Sequence, residues 1–296
     1  MVPLTIVVPE PEHVPDEVGR LLARSSIQNL PWDLEQVLLR FFALEASSAP
    51  FYALHEGLQA QEGFWLCLKL ATISPVRDYL YVEEAALSPS EIQQMETLLN
   101  PFFAEVGFKL YMGQACNLLQ SDKPLICDAI SFEAIRNGYL LGAPFQGADR
   151  AFFARLLTEA QMLLATHPMN LQREEEGKQP VNSIWLWGGG HWQTPKPVYQ
   201  RIFGHHPLLL GLAKASGMEV LPTWQLHDLQ EQNLLVTKDY EQVMDALPRL
   251  AAKMPITLVF VRGAQSTFFA LSPRQRFFFW RKKAWQPLLT RAQGFY

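Results

Sequence analysis

Four apolar residues, Ile184-Trp185-Leu186-Trp187, run directly into Gly188-Gly189-Gly190. A short aliphatic and aromatic run of this kind predicts a buried strand. An apolar helix over Leu208 to Ser216 follows, with Gly217 as its cap, and Glu219 to Leu221 predicts a further strand. Strand, glycine turn, helix and strand in that order predict a βαβ unit, which requires a parallel sheet. That single stretch restricts the chain to the α/β class.

The rest of the pattern agrees. Leu4 to Val8, Phe64 to Leu70, Tyr79 to Val82, Phe108 to Met112, Leu125 to Cys127 and Ile256 to Val261 read as strands. Thr267 to Leu271 and Phe277 to Trp280 read as a hairpin around Ser272-Pro273. Leu34, Val37, Leu38, Phe41 and Phe42 make a helical stripe, and Ser88 and Glu91 form a capping box opening the next helix. Pro101 lies inside that helix and predicts a kink or a split. Asp149 is placed to cap a helix with a buried stripe from Phe152 to Leu164, stopped by Pro168. Lys238 to Lys253 reads as helical, and Gln172 to Pro180 as a polar loop.

With 296 residues, 49% hydrophobic and 18% charged, the chain can build a large core. The net charge is −4, with none of the basic excess that a general nucleic-acid binder needs, so no nucleic-acid partner is expected. No apolar run reaches the length of a membrane span and the first residues lack signal-peptide features, so a soluble cytoplasmic protein without a membrane partner is expected. Cys67, Cys116 and Cys127 are neither a disulfide framework nor a zinc motif; Cys67 reads as a small buried hydrophobe.

Chemistry is densest from His167 to Gly190. His167, Asn170 and Arg173 fall just past a helix end, and Asn182 and the glycines flank a strand. Glycines at the carboxyl end of a parallel strand would line an anion site with backbone N–H groups, and Arg173 would clamp a phosphate or carboxylate. The alternative reading of the same residues is a tight glycine turn, asparagines that satisfy loop backbone, and a solvated arginine. The adjacent pair His205-His206 points its side chains apart, His227-Asp228 lacks a third donor, and the basic-aromatic stretch from Arg274 to Arg291 reads as a buried strand with a solvated basic face. Trp185 and Trp187 share one strand face and read as core.

The run His167-Pro-x-Asn170-x-x-Arg173-x-x-x-Gly177-x-x-Pro180-x-Asn182, leading to Trp185-Leu-Trp-Gly-Gly-Gly190, resembles a segment of the archaeal-type cofactor-independent phosphoglycerate mutases, members of the alkaline-phosphatase superfamily. Pro197, Phe203-Gly204 and Gly217-Met218-Glu219 continue the likeness. The bacterial RpfE-type regulatory proteins, diverged relatives of those mutases, are a closer resemblance. It implies a mostly parallel mutase-like sheet over 145–296 beside an α+β portion over 1–144. The mutases use two metals and a hydroxyl nucleophile. Here Pro9-Glu10-Pro11-Glu12 follows the first strand instead of an Asp-Gly turn, and His227 is the last histidine. No catalytic residue, metal ligand or cofactor is therefore assigned.

The resemblance implies a non-catalytic regulatory or ligand-sensing protein, in effect a pseudoenzyme with a relic phosphometabolite cleft. Its expected ligand residues are His167, Asn170, Arg173, Asn182, Gly188, Gly189 and Gly190, and its expected partners a small anionic metabolite and a protein. An active metal-dependent phosphotransferase or phosphatase, and a pure protein-interaction module, are the alternatives.

Overall fold

The computed structural model describes residues 2–45, 47–126 and 128–274. The first segment holds β1 (Leu4–Pro9), α1 (Asp16–Leu22), β2 (Ser26–Leu30) and α2 (Leu34–Phe41). The middle segment holds α3 (Ala49–His55), β3 (Phe64–Val76), β4 (Tyr79–Glu84), α4 (Pro89–Glu105), β5 (Lys109–Tyr111), β6 (Asn117–Ser121), α5 (Phe132–Ile135), β7 (Gly138–Leu141), α6 (Arg150–Ala165), α7 (Pro168–Glu175) and β8 (Ser183–Gly190). The chain then continues through β9 (Arg201–Phe203), α8 (Pro207–Ala215), β10 (Val220–Leu221), β11 (Asn233–Val236), α9 (Tyr240–Ala251), β12 (Ile256–Arg262) and β13 (Gln265–Leu271). Over the described residues these elements form two compact units, 45–193 and 2–44 with 194–274. The expected boundary at 144/145 falls inside the first of these, between β7 and α6. Phe145 and Phe153, just past it, pack into the same core as Met95 and Leu99, which precede it.

In the discontinuous unit, the sheet runs in the order β10-β9-β11-β1-β12-β13-β2. Its first five strands are parallel and β13 pairs antiparallel with both β12 and β2, so the fold is α/β with a largely parallel sheet. Central β1 is apolar on both sides because both of its faces are covered. Leu4, Ile6 and Val8 join Val18 and Leu22 of α1 and Val243, Leu247 and Leu250 of α9 in one core. Thr5 faces the other way and accepts from the buried Tyr199 hydroxyl at 3.3 Å. Burial pushes that phenol up to about 12. Phe41 of α2 meets the Tyr199 ring edge-on, and α2 packs with α8.

The βαβ unit exists, but it is β9-α8-β10, opened by a three-residue strand too short to announce itself. The run from Ile184 to Trp187 belongs instead to the other unit. There the thirteen-residue β3 is the spine of an all-antiparallel sheet. Ala71 stands opposite both Glu84 and Ser183, and Leu68 opposite both Asn117 and Leu186. Hence β4 and β6 share one edge of β3 and β8 holds the other.

Alternation divides that sheet. Phe64, Leu66, Leu68, Ile184 and Leu186 pack against Met95, Leu99 and Phe103 of α4 and Phe153, Leu156 and Leu164 of α6. Trp65, Cys67, Trp185 and Trp187 turn to the opposite face and are buried. Trp185 donates its indole N–H to the Ile130 carbonyl at 3.0 Å. The Ser88–Glu91 capping box forms as expected, and α4 is not split at Pro101, whose position on the exposed side spares the buried stripe. Asp149 sits at the N-cap of α6 without capping it; its carboxylate accepts from the Ile126 amide at 2.7 Å. The expected strand at Phe277 to Trp280 lies outside the described residues.

Candidate functional site

The residues that carried the sequence motif do not line one crevice. His167, Asn170, Arg173 and Asn182 gather where α6, α7 and the start of β8 meet, whereas the glycines stand at the far end of β8, about 20 Å away at strand rise. Part of the expected loop is the helix α7. Pro168 takes its first position, and His167 Nδ1 accepts from the Met169 amide at 3.2 Å. Buried Asn170 donates to the carbonyls of Leu164 at 2.8 Å and Val181 at 2.9 Å, and accepts from the Val181 amide at 2.8 Å. Asn182 acts as an extra strand residue on β3, accepting from Ile73 N at 2.8 Å and donating to Ile73 O at 3.0 Å.

Arg173 is neither a solvated residue nor an anion clamp. Only 4% of it is exposed. Nε donates to Gln179 O at 2.8 Å, and Nη1 donates to Ala86 O at 3.1 Å and to Glu91 Oε1 at 2.6 Å. Burial alone would raise the Glu91 carboxyl; the Ser88 amide and hydroxyl and the Arg173 guanidinium outweigh it and hold it down at about 2. The motif thus ties the 177–182 turn to the capping box of α4 and the end of β3.

The glycines serve close packing. Gly188 has φ +66, and a Cβ there would collide with Ser48 Oγ; one on Gly190 would collide with Ser47 Oγ, and one on Gly189 would lie 2.9 Å from Phe64 Cζ. Because β8 is antiparallel to β3, the rule that ligands bind beyond the carboxyl ends of parallel strands does not apply here.

That rule points to the discontinuous unit. From β9 the chain crosses through α8 to β10, and from β11 through α9 to β12, in opposite directions along the sheet. Adjacent β9 and β11 therefore flank the switch point. Gly204 ends β9 so close to β11 that a Cβ would lie 2.6 Å from Val236 O. Beyond the two carboxyl ends come exposed His205, half-buried His206 at the N-cap of α8, and exposed Lys238 before α9. Farther along the same sheet edge, Glu10 Oε1 lies 4.0 Å from Arg262 Nη1. Burial raises the Glu10 carboxyl, and Arg262 offsets part of that. The signals for this edge were the continuous apolar run of β1 and Gly204-His205-His206 ahead of Pro207; the glycine run after Trp187 drew the reading elsewhere.

A two-metal centre does not fit these residues. All seven histidines are described, yet among the described residues no three His, Cys, Asp or Glu side chains converge. His227 Nε2 and Asp228 Oδ1 come to 3.5 Å, but in an exposed turn and without a third donor.

No family model matches the chain. Its curated relatives are phosphoglycerate mutases. The 2,3-bisphosphoglycerate-independent phosphoglycerate mutase of Methanosarcina mazei is 37% identical over 84 residues, 26% of this chain and 21% of that enzyme. A probable enzyme of the same name from Geobacter sulfurreducens is 32% identical over 82 residues, 26% of this chain and 20% of that one. The likeness thus spans about a fifth of each relative. Among solved structures, the cofactor-independent phosphoglycerate mutase of Thermoplasma acidophilum aligns over 92% of this chain and 90% of its own, with a TM-score of 0.38 and 13% identity. A Pyrococcus horikoshii protein aligns over 92% and 87%, with a TM-score of 0.44 and 12% identity. Among the described residues no helix is long and apolar enough to cross a membrane.

Proposed function

We propose that this chain is a non-catalytic, RpfE-type relative of the cofactor-independent phosphoglycerate mutases, acting as a regulator or ligand sensor. The observation that carries the reading is the donor set. The partial sequence likeness leads to enzymes of phosphoryl transfer, a reaction that depends on gathering charge around a phosphate, yet the described acidic and imidazole side chains do not gather. The RpfE name implies regulation of pathogenicity factors.

In this reading the relic cleft is the switch point between β9 and β11, not the neighbourhood of Gly188 to Gly190. Lys238 and the uncapped amides opening α8 would receive a small phosphorylated or carboxylated metabolite. Without metals its affinity is expected to be millimolar to micromolar, about 4 to 8 kcal/mol. The deciding experiment is an assay of the purified protein with 3-phosphoglycerate and excess Mn²⁺ or Zn²⁺. No turnover above a metal-only blank is expected; clear turnover would establish the rival reading, an active phosphotransferase with rearranged ligands.

A further inference from the structure

We draw no further inference here: the strongest candidate, the surface patch where Tyr79 and Tyr81 of β4 meet Tyr139 of β7 on one face of the antiparallel sheet, is an open sheet face, and nothing in the structure shows what covers it.

Discussion

In the 45–193 unit, Asn170, Arg173 and Asn182 turn inward and their polar atoms meet named backbone or carboxylate partners. In the discontinuous unit, His205 and Lys238 stay exposed beyond the ends of β9 and β11, and Arg262 is exposed as the last residue of β12, all along the carboxyl edge of the parallel sheet. The residues that make the motif distinctive in sequence are thus spent on architecture, while the edge where an open α/β sheet takes ligands carries residues with no shared motif. A polar residue recurring in a recognisable spacing identifies a constraint; its hydrogen-bond partners decide whether the constraint is structural.

The largest effect expected from this contrast is at Arg173. Arg173→Ala would leave Glu91 buried without its cation and two carbonyls without donors, and should cost about 4 kcal/mol in chemical denaturation. The same pair sets an acid response. With its folded pKa near 2 against an ordinary value of 4.5, Glu91 contributes stability that is present in full above pH 4.5. That contribution is lost as pH falls through the folded pKa. The Ala variant should show a weaker loss over that window. A loss under about 1 kcal/mol, or an unchanged acid profile, would return Arg173 to the solvated role and break the contrast.

Leu156→Ala should cost about 3 kcal/mol through the cavity it leaves in the α4–α6 core, and Trp187→Ala on the opposite sheet face a similar amount. Both side chains are buried. This was legible in the sequence, because a period of 3.6 and a period of 2 each identify the side that faces inward. What the period cannot carry is the partner. Ile184 to Trp187 is a strand in either sheet, and only its pairing with Cys67 to Leu70 shows that it is antiparallel. Glu91 and Arg173 are 82 positions apart, so nothing local could have paired them. The switch point was missed for a third reason: β9 and β10 have three and two residues, too few to show a pattern. A stability change below about 1 kcal/mol in both variants would mean that the inward faces were misassigned.

Gly188→Ala tests the glycine run at the scale of about 2 kcal/mol, from the left-handed backbone and the collision with Ser48 Oγ. An anion site would instead predict lost phosphate binding with little change in stability. Denaturation and phosphate titration of one variant separate the two readings.

The smallest effect expected is at Glu10, and its sign sharpens the comparison. Glu91 and Glu10 are both carboxylates close to an arginine, but Glu91 also receives the Ser88 amide and hydroxyl, and its pKa falls. Arg262 approaches Glu10 only to 4.0 Å, and burial wins, so its pKa rises. A folded-state pKa above the unfolded value means that ionising Glu10 opposes folding, and stability declines as pH climbs through and above the ordinary carboxyl range. Glu10→Gln removes that opposition while keeping shape, and should stabilise the protein at neutral pH by less than about 1 kcal/mol. The same substitution at Glu91 should destabilise it, because a neutral amide would face a buried guanidinium. Thermal melts of the two variants at pH 4 and pH 7 read this directly. Loss of stability at neutral pH in Glu10→Gln would show that its ion pair with Arg262 outweighs burial, and the carboxyl edge of the parallel sheet would then be braced by its charges much as the motif is.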